Sequence, residues 1–413
     1  MSQLSSPQRW LALLSLALGG FAIGLTEFVA MGLLPQIAHN LLPTQYAHSS
    51  AQAVAHAGLM ISVYAAGVVA GAPLFAALGA RVPRKRLVLC FLALFIVGTV
   101  ASALAPTFGL VLVARFVAAL PHGAYFGAAG ILAASIMGPG RQAKGFAVVL
   151  GGLTVSNVVG VPLITHIGQA AGWRFAYLTI AAVFLLTFAA VLATVPHVPV
   201  QPGGSVRNEL RAFRRPQVWL VAGVASIGFG GLFAVDSYIA PVTTHVAGLS
   251  GSVVPWVLVA VGLGMTVGNA LGGAYGDRNI RRALIGGFPV FIAAVAVFAL
   301  TAHTTAGLFI GAFLVGATSL FLNPPMQARL IEVAPGAQMM GAAVNQSAMN
   351  VANSLGALLG GIVIAHGLGY VAPSWVGVGL GIIGFGLVAT SFAIDRPAPA
   401  TAALPNREPV EVR

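Results

Sequence analysis

The chain has 413 residues, of which 58% are hydrophobic and only 7% are charged, against about 25% charged residues in an ordinary soluble domain. This composition excludes a soluble enzyme or binding domain and indicates an integral membrane protein. The net charge of +12 does not indicate nucleic acid as a partner, because the Lys and Arg residues form short clusters between apolar runs. Such clusters are typical of topology signals and of contacts with anionic membrane lipids.

Apolar runs long enough to cross a bilayer recur along the whole chain. They are predicted at residues 10–34, 57–79, 87–105, 108–134, 145–167, 174–195, 217–241, 253–275, 283–301, 306–328, 341–366 and 373–394. A membrane-spanning helix needs about 20 apolar residues, and the alternating segments of a transmembrane β-barrel do not occur. The fold class is therefore all-α integral membrane, with about twelve transmembrane helices.

The positions of Lys and Arg predict the orientation. Clusters such as 84–86 and 278–282 follow every second run, whereas the intervening loops hold essentially Arg174 alone. The positive-inside rule therefore places both termini in the cytoplasm; we call that side inner and the opposite side outer. The single cysteine, Cys90, and histidines scattered over separate loops favour neither a disulfide framework nor a metal site.

The longest polar segment, residues 196–216, divides the chain. It holds several arginines spaced around Val206, Leu210 and Phe213, which predicts a cytoplasmic linker with a short amphipathic helix. The linker separates an N-terminal six-helix bundle, residues 1–195, from a C-terminal one, residues 217–395. Residues 396–413 are predicted to form a cytoplasmic tail.

The two halves repeat each other. Gly67-x3-Gly71, followed by basic residues, has a counterpart with matching spacings in Gly264-x3-Gly268, and Asn157 has one in Asn353. Because both matches occur at nearly the same offset along the chain, they indicate a duplication and hence two pseudo-symmetric bundles. Transporters built from repeated halves hold substrate near the midplane, where the halves meet.

Two acidic residues lie inside apolar runs. A carboxylate at membrane depth is costly when unpaired, so Glu27 in the first run is a candidate proton or ligand site. The alternative is a protonated carboxyl that only packs helices. Asp236 is either a second proton site or a contact for a cationic or polyol substrate; the alternative is a carboxyl near the surface that reaches outer water.

Three stretches resemble the major facilitator superfamily, in its drug/proton antiporter branch and its arabinose-efflux-permease-like, sugar efflux subgroup. The first is TEF at 26–28 with GLLP at 32–35, the second is GAPLFAALGARVPRKR at 71–86, and the third is the fifth-helix motif within 151–174. The second stretch departs from the family at Ala80, where an acidic residue is usual. Asp277 keeps that acid in the second half.

The resemblance implies a proton-coupled exporter of a small organic substrate such as a sugar or a drug, monomeric, in a bacterial inner membrane. It implies no cofactor other than the proton gradient. Arg115 matches the family's fourth-helix arginine that is tied to proton coupling, and His122 follows seven residues later on the same stripe. Measured from Pro35 and Pro106, Glu27 and Arg115 are both predicted roughly 12–14 Å deep. The proton-coupling set is Glu27, Arg115, His122 and Asp236, although His122 could instead be a packing histidine.

Two further groups complete the candidate site. The predicted cytoplasmic gate consists of Arg81, Arg84, Asp277 and Arg278, which could bind helix ends or carboxylates, or could only set topology. The predicted substrate cavity consists of Phe28, Tyr125, Asn157, Tyr238, Asn323, Gln346 and Asn350. The alternative for the amides, above all Asn157 and Asn353, is a role in joining helices, and for the aromatic residues it is the core.

Other functions are weighed against export. A membrane-embedded enzyme needs converging catalytic groups, and neither an H-E-x-x-H nor a Walker A sequence occurs. A facilitator or an importer of the same fold stays open, because residue patterns do not separate it from an exporter.

Overall fold

The computed structural model describes residues 5–79, 82–138, 141–196, 214–334 and 338–395. Within these residues, twelve helices are long and apolar enough to cross a membrane. They are α1 Ser6–Leu41, α2 Ser50–Gly71, α3 Arg84–Leu104, α4 Phe108–Met137, α5 Ala147–Ala171, α6 Trp173–Thr194, α7 Pro216–Asp236, α8 Gly251–Gly276, α9 Ile280–Thr301, α10 Thr305–Val333, α11 Val344–Ala365 and α12 Ala372–Ile394. The predicted all-α membrane fold is confirmed.

Several helices extend beyond or break within these spans. Helix continues from α2 to Gly79, precedes α5 from Gln142 and precedes α11 from Gln338. A π-helical turn, Ser156–Gly160, interrupts α5, and α7 is followed by Ile239–Pro241 and a second π-helical turn, Val242–Val246. A short helix, Pro43–His48, connects α1 and α2. Most of the predicted linker helix and the whole tail lie outside the described residues.

Matching caps and glycine contacts show the pseudo-symmetry of the two halves. The side chains of Thr107 and Thr304 cap α4 and α10 by accepting a bond from a backbone N–H of the first helical turn. Gly67 of α2 packs directly on the Phe116 carbonyl of α4, and Gly264 of α8 packs in the same way on the Phe313 carbonyl of α10. A side chain at either glycine would collide with backbone, so the repeated glycines hold equivalent helix pairs together.

Each half forms its own bundle. In the N-terminal half, α1 packs on α5 and α6, α2 packs on α4, and α3 packs on α4 and α6. In the C-terminal half, α7 packs on α11 and α12, α8 packs on α10, and α9 packs on α10 and α12. Equivalent pairs such as α2–α4 and α8–α10 therefore recur, as a duplicated fold requires.

The halves meet along two helix pairs, α2 with α11 and α5 with α8. In α5, the outer part beginning at Ser156 contacts α8, whereas the inner part, Gln142–Val155, packs on α1 and α4 of its own half. Near the outer end, Gln169 Nε2 donates to the Gly251 carbonyl at 2.8 Å, and Gly58 packs against the Tyr238 hydroxyl. The interface between the halves is thus closed on the predicted outer side.

Gly58→Ala is expected to open this outer closure. A Cβ at Gly58 would lie 3.2 Å from Tyr238 Cζ, and Tyr238 is fixed because its hydroxyl donates to the Ala357 carbonyl at 2.7 Å. Overpacking of about 1–3 kcal/mol raises the ratio of outer-open to outer-closed molecules about 5- to 150-fold. Spin labels at Ala47 and Ser252 in a Cys90→Ser background should report longer distances.

Gly109→Ala provides the control for this substitution. Gly109 lies at the outer end of α4, and a Cβ there would meet no atom within 4 Å. Its distance distribution should match that of the parent protein. An unchanged distribution in Gly58→Ala would show that the contact between Gly58 and Tyr238 does not hold the outer side closed.

Candidate functional site

Glu27 lies in the middle of α1, a 36-residue helix that continues through Pro35 to Leu41. The sequence-based depth of Glu27 was measured from Pro35 as the helix end, and this end is wrong. Counted from Leu41, Glu27 lies roughly 20 Å along the helix. Gly20 and Gly24 of α1 pack closely against Val149 and Ser156 of α5, so these glycines admit a neighbouring helix and fix the position of Glu27.

The Glu27 carboxylate has a polar neighbour from each half of the molecule. His122 of α4 places its Nε2 atom 3.9 Å from Glu27 Oε2. Asn353 of α11 donates from Nδ2 to Glu27 Oε1 at 3.4 Å. All three side chains are buried. Because α4 belongs to the N-terminal half and α11 to the C-terminal half, this carboxylate links the two halves through hydrogen-bonding groups.

Arg115 is fully buried and bonds to the residue that precedes Glu27. Its Nη1 atom donates to the Thr26 carbonyl at 2.7 Å and to Thr26 Oγ1 at 3.0 Å. The guanidinium carbon lies 4.1 Å from the centre of the Tyr64 ring and 5.5 Å from that of Tyr177. Two aromatic faces and one carbonyl therefore stabilise this cation, which lies close enough to Glu27 to interact with it electrostatically.

His122 connects Glu27 to Tyr64. The Tyr64 hydroxyl and His122 Nδ1 are 3.3 Å apart, and the tautomer of the ring decides which atom donates. Within the described residues, His122 Nε2 and Asn353 Oδ1 have no hydrogen-bond partner. Asn353 Oδ1 is an acceptor, and His122 Nε2 is one in the tautomer that carries its proton on Nδ1. In that tautomer the surroundings can accommodate the carboxyl group in its ionised and in its protonated form.

Asp236 lies between the two halves, at the end of α7. Its side chain is buried, and its Oδ1 atom has no hydrogen-bond partner within the described residues. It lines a cavity of about 20 Å³ together with Phe28 and Asn157 of the N-terminal half and Met265 of α8, a space sufficient for one water molecule. The alternative of a carboxyl that reaches outer water is wrong for this conformation.

Two of the predicted cavity residues, Phe28 and Asn157, therefore adjoin Asp236, whereas the two predicted tyrosines do not. Tyr125 is buried inside the N-terminal half, and its hydroxyl donates to the Leu16 carbonyl at 2.8 Å. Tyr238 contributes to the outer closure described above. In this conformation both tyrosines pack helices, because their hydroxyl groups are used by neighbouring backbone carbonyls.

The remaining predicted cavity residues lie within the C-terminal half. Asn345 Nδ2 donates to Asn323 Oδ1 at 3.1 Å and so joins α11 to α10. Asn350 Nδ2 donates to the Gln346 carbonyl at 3.0 Å. Asn350 is buried, and its Oδ1 atom has no partner among the described residues. Asn350 thus keeps a free acceptor, whereas Asn323 joins helices.

The predicted gate residues are spread over the inner end. Arg81 lies outside the described residues, Arg84 begins α3, and Asp277 and Arg278 are exposed between α8 and α9. Within the described part of the chain, no ion pair joins Asp277 to another side chain.

Two other basic residues also make contacts at the inner end. Lys85 Nζ donates to the Leu192 carbonyl near the end of α6 at 2.9 Å. Arg329 of α10 pairs with Glu332 at 3.1 Å and with Asp395 at 2.6 Å. Lys85 therefore makes a bond to a helix end of the kind predicted for the basic residues at this end of the molecule.

Sequence reasoning missed Tyr64 and Thr26 as neighbours of the buried charges, and for Asn353 it favoured a role in joining helices over one in binding substrate. Tyr64 and Thr26 carry no charge, and each meets Arg115 across a large separation in the sequence. The one available signal was the repeat, which pairs Asn353 with Asn157 and marks both as polar residues at membrane depth.

Comparisons with known proteins agree with this architecture. A family model described as Major Facilitator Superfamily matches residues 16–306 and 234–411. The Escherichia coli (strain K12) inner membrane transport protein YdhP is 34% identical over 395 residues, which are 95% of this chain and 98% of that protein. A chloramphenicol resistance protein of Streptomyces lividans is 31% identical over 398 residues, 95% of this chain and 99% of that protein.

A solved structure has the same fold. It is a bacterial homologue of the human lysosomal transporter Spinster in an inward-facing, unoccupied conformation, with a TM-score of 0.74 and 19% identity. The match covers 96% of this chain and 100% of that chain. The two chains therefore share the twelve-helix arrangement of two bundles, and the family model and YdhP indicate a transporter and not an enzyme.

Proposed function

Because the chain belongs to the major facilitator superfamily, we propose that it is a proton-coupled exporter of a small organic molecule such as a sugar or a drug. It works as a monomer by alternating access in a bacterial inner membrane, with both termini in the cytoplasm. The proton gradient drives it, without a cofactor.

The observation that carries this proposal is the bond between Glu27 and Asn353. It joins an ionisable group of the N-terminal half to the C-terminal half at membrane depth. An ionised carboxylate only accepts hydrogen bonds, whereas a protonated carboxyl also donates one. Adding a proton therefore changes what Glu27 can offer to Asn353 Oδ1 and His122 Nε2, and this changes the contact between the halves.

A change in that contact biases the equilibrium between the two conformations. A ligand, here a proton, shifts such an equilibrium only by its different affinity for the two states. In this proposal Glu27 meets the requirement because its bond to Asn353 spans the two halves, and this bond changes when the halves move relative to each other. The closed outer side described above corresponds to the inward-facing state of the cycle, in which the exporter takes up its substrate from the cytoplasm.

The region around Asp236 is the proposed place of substrate contact. Asp236 offers a buried carboxylate oxygen without a partner, Asn157 offers an amide, and Phe28 offers an aromatic face. These groups suit a substrate that carries hydroxyl or amine donors next to apolar surface. Phe28 follows Glu27 directly in α1, so a substrate at this position lies close to the proposed proton site.

Transport into proteoliposomes tests the proposed function. The probes are radiolabelled chloramphenicol, arabinose and tetraphenylphosphonium, with the pH set separately on the two sides. An exporter that exchanges substrate for protons accumulates its probe in the lumen of vesicles in which the inner side of the protein faces an alkaline medium and the lumen is acidic. A protonophore abolishes this accumulation.

The alternatives give different results in the same assay. A facilitator equilibrates the probe without accumulation and irrespective of the gradient. A proton-driven importer accumulates it only in the opposite gradient. Either result for a transported probe would overturn export by proton exchange while leaving the family membership unaffected.

A further inference from the structure

A second, larger cavity lies away from the interface between the halves. It is a groove of about 550 Å³ formed by α8, α9 and α10, which we call the α8–α9 groove. Leu271 and Tyr275 of α8, Val290 of α9 and Phe321 of α10 form its apolar walls. The first three side chains are exposed, so the groove opens on the periphery of the bundle, where a membrane protein meets lipid.

One end of the groove carries positive charge. Arg278 and Arg282, on either side of the start of α9, both line it and are both exposed. No ion pair neutralises either guanidinium group within the described part of the chain. Asn279 caps α9 by accepting a bond from the Arg282 backbone N–H at 2.8 Å, which fixes the backbone between the two arginines.

The groove has open space at one glycine, where a side chain would fill it. Gly286 lies on α9, and a Cβ there would meet no atom within 4 Å. Gly268 and Gly287 also line the groove, but a Cβ at either would meet atoms of α10, so these two glycines admit that helix. The groove is an elongated apolar space at membrane level with two cations at its predicted inner end. It is therefore complementary to an amphiphile with a negative head group.

We propose that the α8–α9 groove binds an anionic phospholipid of the inner leaflet, with its phosphate at Arg278 and Arg282 and an acyl chain along Leu271, Val290 and Phe321. Arginine suits the head because its planar donors match phosphate oxygens in pairs. A zwitterionic lipid fits the apolar part equally well, but the ammonium group of its head cancels the charge of the phosphate and is repelled by the two guanidinium groups. The proposed site therefore selects by head-group charge.

Native mass spectrometry of the delipidated full-length protein tests the head-group part. Phosphatidylglycerol and phosphatidylcholine with identical acyl chains are the probes. We expect phosphatidylglycerol to bind about tenfold more tightly, because its net negative head group bonds to two charged side chains. The double variant Arg278→Gln/Arg282→Gln should lose that preference. Arg281→Gln is the matched control, because Arg281 faces the Phe392 ring at 5.8 Å instead of the groove.

A second pair of variants tests the acyl-chain part without changing any charge. Gly286→Leu fills the groove where a side chain meets no atom, and it should weaken phosphatidylglycerol binding about tenfold. Gly386→Leu is its control, since Gly386 of α12 is also exposed and unobstructed. This variant keeps all arginines, so the proposal stays testable even if the double arginine variant does not fold.

Four results would overturn the proposal. The first is equal binding of the two lipids to the parent protein. The second is an equal loss in Arg281→Gln and in the double variant, which would indicate diffuse positive charge. The third is unchanged lipid binding in Gly286→Leu. The fourth is full competition by glycerol phosphate, which would reduce the site to a surface anion site.

Discussion

Glu27→Gln is expected to abolish gradient-driven transport while substrate binding survives. Glutamine is nearly isosteric with glutamate and retains an acceptor for Asn353 Nδ2, so the fold and the 3.4 Å contact can persist. It mimics a carboxyl group that never releases its proton, and the coupling step therefore fails. If Glu27 only packs helices, the same substitution leaves transport intact.

The measurement is proton release when substrate is added to the solubilised protein, recorded across pH, together with transport in proteoliposomes. Glu332→Gln is the control, because Glu332 is a carboxylate at the inner end of α10 that pairs with Arg329. Full, pH-dependent proton release from Glu27→Gln would contradict the assignment and would move the proton site to Asp236 or His122.

Asp236→Asn separates two versions of the coupling within the same experiment. If Glu27 alone carries the proton, this variant keeps its proton release and its response to the gradient, and only its affinity for substrate falls. If the two acids form a relay, the drive is lost in both single variants.

Arg115→Lys is expected to reduce transport about tenfold or more although the positive charge is kept. The arginine makes two bonds to Thr26 from one nitrogen, and its guanidinium carbon lies 4.1 Å from the centre of the Tyr64 ring. A lysine amine is more strongly hydrated and cannot reproduce the planar stacking. The loss of one bond to a charged group, about 1.5–3 kcal/mol, corresponds to a tenfold effect or more.

Transport and thermal unfolding of this variant are measured together. The control is Lys144→Arg, the converse exchange at an exposed position where the side chain lies over the Trp10 ring. A fall in transport with an unchanged pH profile would assign Arg115 to folding alone. A shifted pH profile of proton release would show that Arg115 acts on Glu27, and full activity of Arg115→Lys would remove the guanidinium group from the mechanism.

The spans could be predicted from the sequence because a bilayer requires long apolar helices, and this requirement leaves a local signal. The errors lie where helices continue through residues that usually end them. Pro35 lies inside α1, since losing one backbone bond does not end a helix held by its neighbours. In the same way, α2 begins at Ser50, before the turn at Gly58.

The site was predictable only in part. Glu27, Arg115, His122 and Asp236 stand out because charge and imidazole are rare at membrane depth. Their partners were not predictable, because which side chain meets which depends on the rotation of each helix about its axis. Thus Arg115 meets Thr26 and Tyr64, and Asn353 crosses from the other half to Glu27.

The buried charge of Arg115 makes the proposed proton step depend on the transmembrane voltage as well as on pH. Among the described residues no carboxylate forms an ion pair with this buried cation. With His122 neutral, the cluster of Glu27 and Arg115 is therefore neutral when Glu27 is ionised and carries one positive charge when Glu27 is protonated. Carrying that charge across the membrane changes the free energy by about 2.3 kcal/mol per 100 mV. In the proposed cycle, the transmembrane voltage should thus drive the step in which Glu27 is protonated, even when the pH is equal on both sides.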